Sequence, residues 1–183
     1  MRTHIGLTGL NASGKGEAAS FLKTCGFRYH SLSDVVRREA TRLGRDHSRE
    51  SLIETGNQLR ATEGTEVLAR RILPDLTGRD VIDSIRHPDE IAVLNSLERF
   101  FLLGIEAPAP MRFERSRRRG RIGDGVTLEE FQRLESRELA APGTESQQLL
   151  ECLRRVDGTV ANDGSLEQFR SRVEELLRGA GFL

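Results

Sequence analysis

The run Gly9-Leu10-Asn11-Ala12-Ser13-Gly14-Lys15 has the spacing G-x-x-x-x-G-K, and in this 183-residue chain it is the stretch that most directly specifies a ligand. Glycines at both ends let the backbone turn tightly enough to aim several N–H groups at one centre. A lysine ammonium just beyond reaches the outer oxygens of a phosphate chain. Lys15 and Lys23 are the only lysines among 28 basic residues, so a lysine here is not a by-product of composition. Gly16 stands where a Ser or Thr hydroxyl usually meets Mg²⁺, and Glu17 follows it. The metal would then be held through water and a carboxylate. The chemistry implied is binding of ATP with Mg²⁺ and transfer of the γ-phosphate.

Such a transfer needs positive charge around the migrating group and a group that orients the acceptor. Asp34 and Arg37, one helical turn apart in SLSDVVR, are candidates for the acceptor side, with Asp34 as a base. Ser31 with Asp34 also spells an S-x-x-D capping box, which would account for the aspartate without chemistry. Asp83 and Arg86 follow an apolar strand, where a carboxylate can meet Mg²⁺ and an arginine can clamp a phosphate; a salt bridge at the start of a helix is the competing reading. Arg112, Arg115, Arg117, Arg118, Arg119 and Arg121 fall within ten residues, beside Gly120, Gly123 and Gly125. A mobile lid over about 112–127 is expected there, with Arg115, Arg118 or Arg119 reaching the transferring phosphate, against the plainer reading of a solvated helix face.

These groups require a frame. Short β-rich or apolar runs at 3–8, 27–30, 80–85, 99–105 and 156–160 alternate with helical patterns at 14–25, 32–43, 48–73 with a break near Gly64, 88–97, 110–119, 127 onward, 145–154 and 165–178. Alternation of this kind predicts an α/β fold of three layers: a five-stranded parallel sheet, order 2-3-1-4-5, with helices on both faces. Ligands then collect beyond the carboxyl ends of the strands. A length of 183 residues predicts a single domain, with acceptor-binding helices at about 32–74.

A formal net charge of zero gives no global attraction to nucleic acid or membrane, and no run is long and apolar enough for a span. A cytoplasmic protein is expected. Cys25 and Cys152 stand apart from any metal-binding spacing and read as inert thiols, and the four histidines read as surface or packing residues.

GLTGLNASGKG resembles the P-loop of nucleoside and nucleotide kinases of the adenylate kinase and dephospho-coenzyme A kinase type, although Glu17 replaces their usual threonine. The resemblance covers nearly the whole chain and implies an ATP-dependent kinase with a small phosphorylated acceptor, a nucleoside monophosphate or dephospho-coenzyme A. SLSDVVR is similar to the segment that would give Arg37 the acceptor phosphate and Asp34 the acceptor hydroxyl. VIDSIRHPDE would give Arg86 the acceptor phosphate, MRFERSRRRGR resembles the start of the lid, and VANDGSLEQF would set Asn162 beside the nucleotide base. SLIETGNQLRATEG and RRIL are similar to an archaeal kinase-like family and to the kinase-like domain preceding some deoxycytidylate deaminases. That likeness leaves open a deaminase-type partner and a nucleotide-sensing role without transfer. The chain lacks HxE and PCxxC and is not itself a zinc deaminase.

Overall fold

The computed structural model describes residues 2–120, 125–140, 143 and 147–183. Along the chain run β1 (Thr3–Thr8), α1 (Lys15–Thr24), β2 (Arg28–Ser31), α2 (Leu32–Arg42), α3 (Arg49–Glu63), α4 (Val67–Ile72), a 3₁₀ turn (Leu73–Asp75), β3 (Arg79–Asp83) and α5 (Pro88–Leu94). Then follow β4 (Phe100–Glu106), α6 (Ala109–Arg119), α7 (Leu128–Leu139), α8 (Leu149–Arg154), β5 (Gly158–Ala161) and α9 (Leu166–Gly179). The five strands pair in parallel in the order β2-β3-β1-β4-β5, as the sequence predicts.

Alternation along the central strands divides the core. Ile82 and Leu102 point to one face, where Leu32, Val35, Leu68, Ile72, Ile91, Leu94 and Cys152 bring α2, α4, α5 and α8 against the sheet. Val81, Phe101 and Leu103 point to the other, which α1 and α9 cover with Ala18, Leu22, Phe169 and Val173. A central strand buried on both sides reads as a continuous apolar run because both rows of side chains lose water.

Local chemistry sets the element ends. The expected 48–73 helix divides at Gly64, whose φ of 104° is open to glycine and hostile to other residues, so α3 and α4 are separate. The strand expected to reach residue 85 stops at Asp83 because Ser84 takes φ 68°. The helix expected to reach residue 97 ends at Leu94, and the one expected from 145 begins at Leu149, with residues 144–146 outside the described set. The S-x-x-D box at Ser31 does not form: Ser31 makes no side-chain cap, and Asp34 accepts from Arg37 Nη1 at 2.6 Å instead.

One polar cluster sits inside the sheet. Asp80 is fully buried, accepts from the backbone N–H groups of Gly78 (2.7 Å) and Thr77 (3.0 Å), and meets His4 Nδ1 at 3.2 Å and His30 Nε2 at 3.0 Å. Burial alone would raise its carboxyl; the hydrogen bonds from Gly78, His30 and Thr77 outweigh that and hold it low. Burial pushes His4 below its ordinary value, against the pull of Asp80. Both groups bind fewer protons folded than unfolded in acid, so both signs make stability fall with pH, for His4 from about pH 6.5 downward. Asp80→Asn should cost about 2 kcal/mol and flatten the acid limb of a thermal-unfolding series. An unchanged acid limb would show that Asp80 does not govern it.

Candidate active site

The turn after β1 converges on the N-terminus of α1. Gly9 has φ 150°, and a Cβ there would lie 2.4 Å from the Ile105 carbonyl oxygen; Gly14 has φ 115°, and a Cβ there would lie 2.0 Å from Asn162 Nδ2. Both positions therefore demand glycine, through backbone geometry and close approach together. Asn162, just beyond β5, donates to Ser13 O at 2.8 Å and fastens the loop to the far side of the sheet. Lys15 Nζ donates to Gly9 O (2.7 Å) and Leu10 O (2.9 Å). Burial pushes the Lys15 ammonium down to about 7, and Arg86, Arg119 and Arg112 add repulsion that Asp83 partly offsets. A half-buried lysine among three arginines is a strong electrostatic trap for a polyanion.

Arg112, Arg115 and Arg119 recur at i, i+3 and i+7 along α6, which puts them on one face, and that face lies over the P-loop. Arg112 is buried, forms a bidentate pair with Glu135 of α7 and donates to Asn11 O. Arg115 Nη2 donates to Asn162 Oδ1 at 3.0 Å, and its Nη1 approaches Ser13 O at 3.4 Å. Arg119 Nη2 donates to Asn11 Oδ1 at 3.0 Å. Arg118 is exposed, about 100° round the helix from Arg119. Of the three arginines expected to serve catalysis, the fold thus sets Arg115 and Arg119 against the loop and turns Arg118 from it. Arg121 and the rest of 121–124 lie outside the described residues.

Beside the P-loop a small cleft of about 70 Å³ opens between α2, α3 and the end of β3, lined by Asn11, Arg49, Gly56, Arg60, Arg86 and Glu138 among others. Thr8 Oγ1 holds the Ile85 carbonyl at 2.9 Å, turning the chain after Ser84 so that Arg86 enters this space. Glu90, fully buried at the start of α5, accepts from Arg60 Nη2 (3.0 Å) through one oxygen and from the backbone N–H groups of Arg86 (2.8 Å) and His87 (3.1 Å) through the other. Arg49 Nε donates to Glu138 of α7, and Arg86 Nη1 to Gln147 at 2.7 Å. Asp34 and Arg37, expected on the acceptor, pair with each other about half exposed and are not among the lining residues. The sequence reasoning missed Arg49 and Arg60, although both lie on the α3 face that carries Leu52 and Ile53; the signal was an arginine on the apolar stripe of a helix.

Asp83 is buried at the end of β3, where Tyr29 Oη donates to it at 3.2 Å, and its charge acts on Lys15. Among the described residues no group of three His, Cys, Asp or Glu side chains forms a metal cage. A single carboxylate next to a phosphate trap suits Mg²⁺, which keeps waters and takes most other ligands from the substrate's phosphates. An added Cβ at Gly16 would meet nothing within 4 Å among the described residues, so packing does not exclude the missing hydroxyl.

The Lys15 ammonium yields a direct prediction. A bound triphosphate favours its charged form, so binding must take up a proton wherever free Lys15 is neutral, between about pH 7 and the ordinary lysine range. Calorimetry at about pH 8.5 in buffers of different ionisation enthalpy should report roughly one proton taken up per ATP, and Lys15→Arg should abolish the uptake. An enthalpy independent of buffer in the native protein would contradict this electrostatic assignment.

No protein-family model matches the chain. It is similar in fold to TT1252 from Thermus thermophilus, with a TM-score of 0.64 at 22% identity over 98% of this chain and 97% of that one. It is likewise similar to shikimate kinase from Bacteroides thetaiotaomicron, with a TM-score of 0.62 at 16% identity over 97% and 99% of the two chains. These likenesses show the fold alone, the parallel sheet with helices on both faces. Among sequence relatives, the UPF0200 protein of Hyperthermus butylicus is 32% identical over 180 residues, spanning 96% of this chain and 94% of its own. With that identity over nearly the whole length of both chains, the chain belongs to the UPF0200 family.

Proposed function

We propose that the protein transfers the γ-phosphate of ATP to a small phosphorylated acceptor, a nucleoside monophosphate. The observation that carries this reading is the arginine-lined cleft that meets the P-loop at Asn11, with Arg49, Arg60 and Arg86 on its walls and the charge of Arg86 acting on Lys15. An acceptor phosphate held there has an ionised oxygen to attack the γ-phosphorus while the bond to the β–γ bridging oxygen breaks and ADP leaves. No base is needed for such an acceptor. A hydroxyl acceptor such as that of dephospho-coenzyme A needs one, and Asp34 stands outside the cleft lining, paired with Arg37. Lys15, Arg115 and Arg119 oppose the charge that spreads over the transferring group, and Asn162 borders the donor base. Asp83 would hold Mg²⁺, which when bound neutralises phosphate charge.

The fold shared with a shikimate kinase supports the reaction class; the acceptor rests on the cleft. Gly16, with no hydroxyl for the metal, favours a second reading, a module that binds ATP without transferring phosphate. A coupled assay with ATP and a panel of ribo- and deoxynucleoside monophosphates separates the two. Turnover of at least one is expected, with Arg86→Met raising the acceptor KM at least about tenfold and by more than it raises the ATP KM. ATP binding without ADP formation across the panel would refute phosphoryl transfer to this class.

A further inference from the structure

The cleft holds a feature that its own packing does not require. Arg49, Leu52, Ile53, Gly56 and Arg60 recur at i, i+3, i+4, i+7 and i+11 along α3 and all line it. The stripe has an arginine at each end, branched apolar side chains next to the first, and a gap at Gly56 in front of Arg60. Glycine in the interior of a helix costs stability relative to alanine, because it leaves the unfolded chain freer and adds no contact. A structural need would normally explain the cost, and none is found among the described residues. A Cβ at Gly56 would lie 3.5 Å from Arg60 Nη1 and 3.6 and 3.9 Å from the methyl carbons of Val36, ordinary van der Waals contacts, and the position has no left-handed φ.

A second, independent observation concerns Arg60. It is only 4% exposed, its Nη2 is engaged by Glu90, and its Nε has no hydrogen-bond acceptor among the described residues. A buried guanidinium normally satisfies its donors. The missing side chain faces Nη1 of the guanidinium whose Nε is left over, and both residues stand on the wall of a cleft that also carries Arg86 and Arg49.

We propose that Gly56 is a specificity-determining residue of the acceptor site: by withholding a side chain it leaves the Arg60 guanidinium open to an oxyanion of the acceptor, a phosphate monoester. This rests on the kinase reading above and sharpens it by saying where the acceptor phosphate lies. A methyl group at this position would stand 3.5 Å from Nη1, where the oxyanion must approach. Arg60 itself is a poor probe, because its removal strands the buried Glu90 carboxylate and endangers folding. Gly56 separates the two effects, since its replacement should help the helix and harm the site.

The test compares the native protein with Gly56→Ala and Gly56→Val. Gly56→Ala should raise Tm by about 2–4 °C. In steady-state assays with the best monophosphate acceptor, its KM should rise at least about tenfold for Ala and further for Val, with the ATP KM within about twofold. Calorimetric titration of the same monophosphates onto protein saturated with a non-hydrolysable ATP analogue reads the site without turnover and should show a parallel loss of affinity. A raised Tm with unchanged acceptor KM and affinity would overturn the proposal while leaving the kinase reading intact. A lowered Tm would overturn it too, by showing that the fold needs the glycine. Monophosphate binding that is lost on substitution, without turnover in the native protein, would keep the Gly56 assignment and remove the kinase reading.

Discussion

The close approach of four chain segments at the phosphate loop constrains everything around it. Gly9 touches the carbonyl of Ile105 at the end of β4, Gly14 touches Asn162 beyond β5, and Lys15 turns back onto the carbonyls of Gly9 and Leu10. The loop can hold that shape only if β1 lies between β3 and β4, because it must be walled by β4 on one side and by the Ser84–Arg86 turn on the other. A sheet order of 2-3-1-4-5 is therefore more than a topology; it is the condition under which N–H groups, Lys15, Arg86 and Asp83 face one point.

Carboxylates decide which arginines remain rigid around that point. Glu90 joins the Arg60 side chain to the backbone of Arg86, which ties two of the three arginines of the cleft to one carboxylate. On α7, Glu135 and Glu138 stand one turn apart; the first holds Arg112 of α6 beside Asn11, and the second holds Arg49 on α3. One helix thus braces both the P-loop and the arginine-lined cleft. The cost of burying these charges is met only because each pair is close and further hydrogen-bonded, and breaking a pair would leave a charge stranded in a poorly hydrated site.

The fold was legible in the sequence because its signals are local: apolar runs, the G-x-x-x-x-G-K spacing after the first run, and the break near Gly64. The donor side was legible for the same reason. Of the residues expected on the acceptor, Arg86 lines the cleft while Asp34 and Arg37 do not, and Arg49 and Arg60, which the D-x-x-R spacing does not point to, line it instead. The partners that place Arg49 and Arg60, Glu138 and Glu90, lie 89 and 30 residues away. Likewise His4, His30 and Asp80 showed no pattern, since only parallel pairing of β1 and β2 with β3 brings them together. Nothing in a helical repeat announces that Gly56 faces a cleft rather than a neighbour.

The central claim is that donor and acceptor phosphates meet between Lys15 and the arginine-lined wall of α3. A crystal structure with a bisubstrate analogue, two nucleosides joined by a polyphosphate bridge, tests it most directly. The donor phosphates should lie in the Gly9–Lys15 turn and the acceptor-end phosphate within hydrogen-bond distance of Arg60 and Arg86, in front of Gly56. An acceptor-end phosphate bound instead at Arg37, outside the cleft, would contradict it.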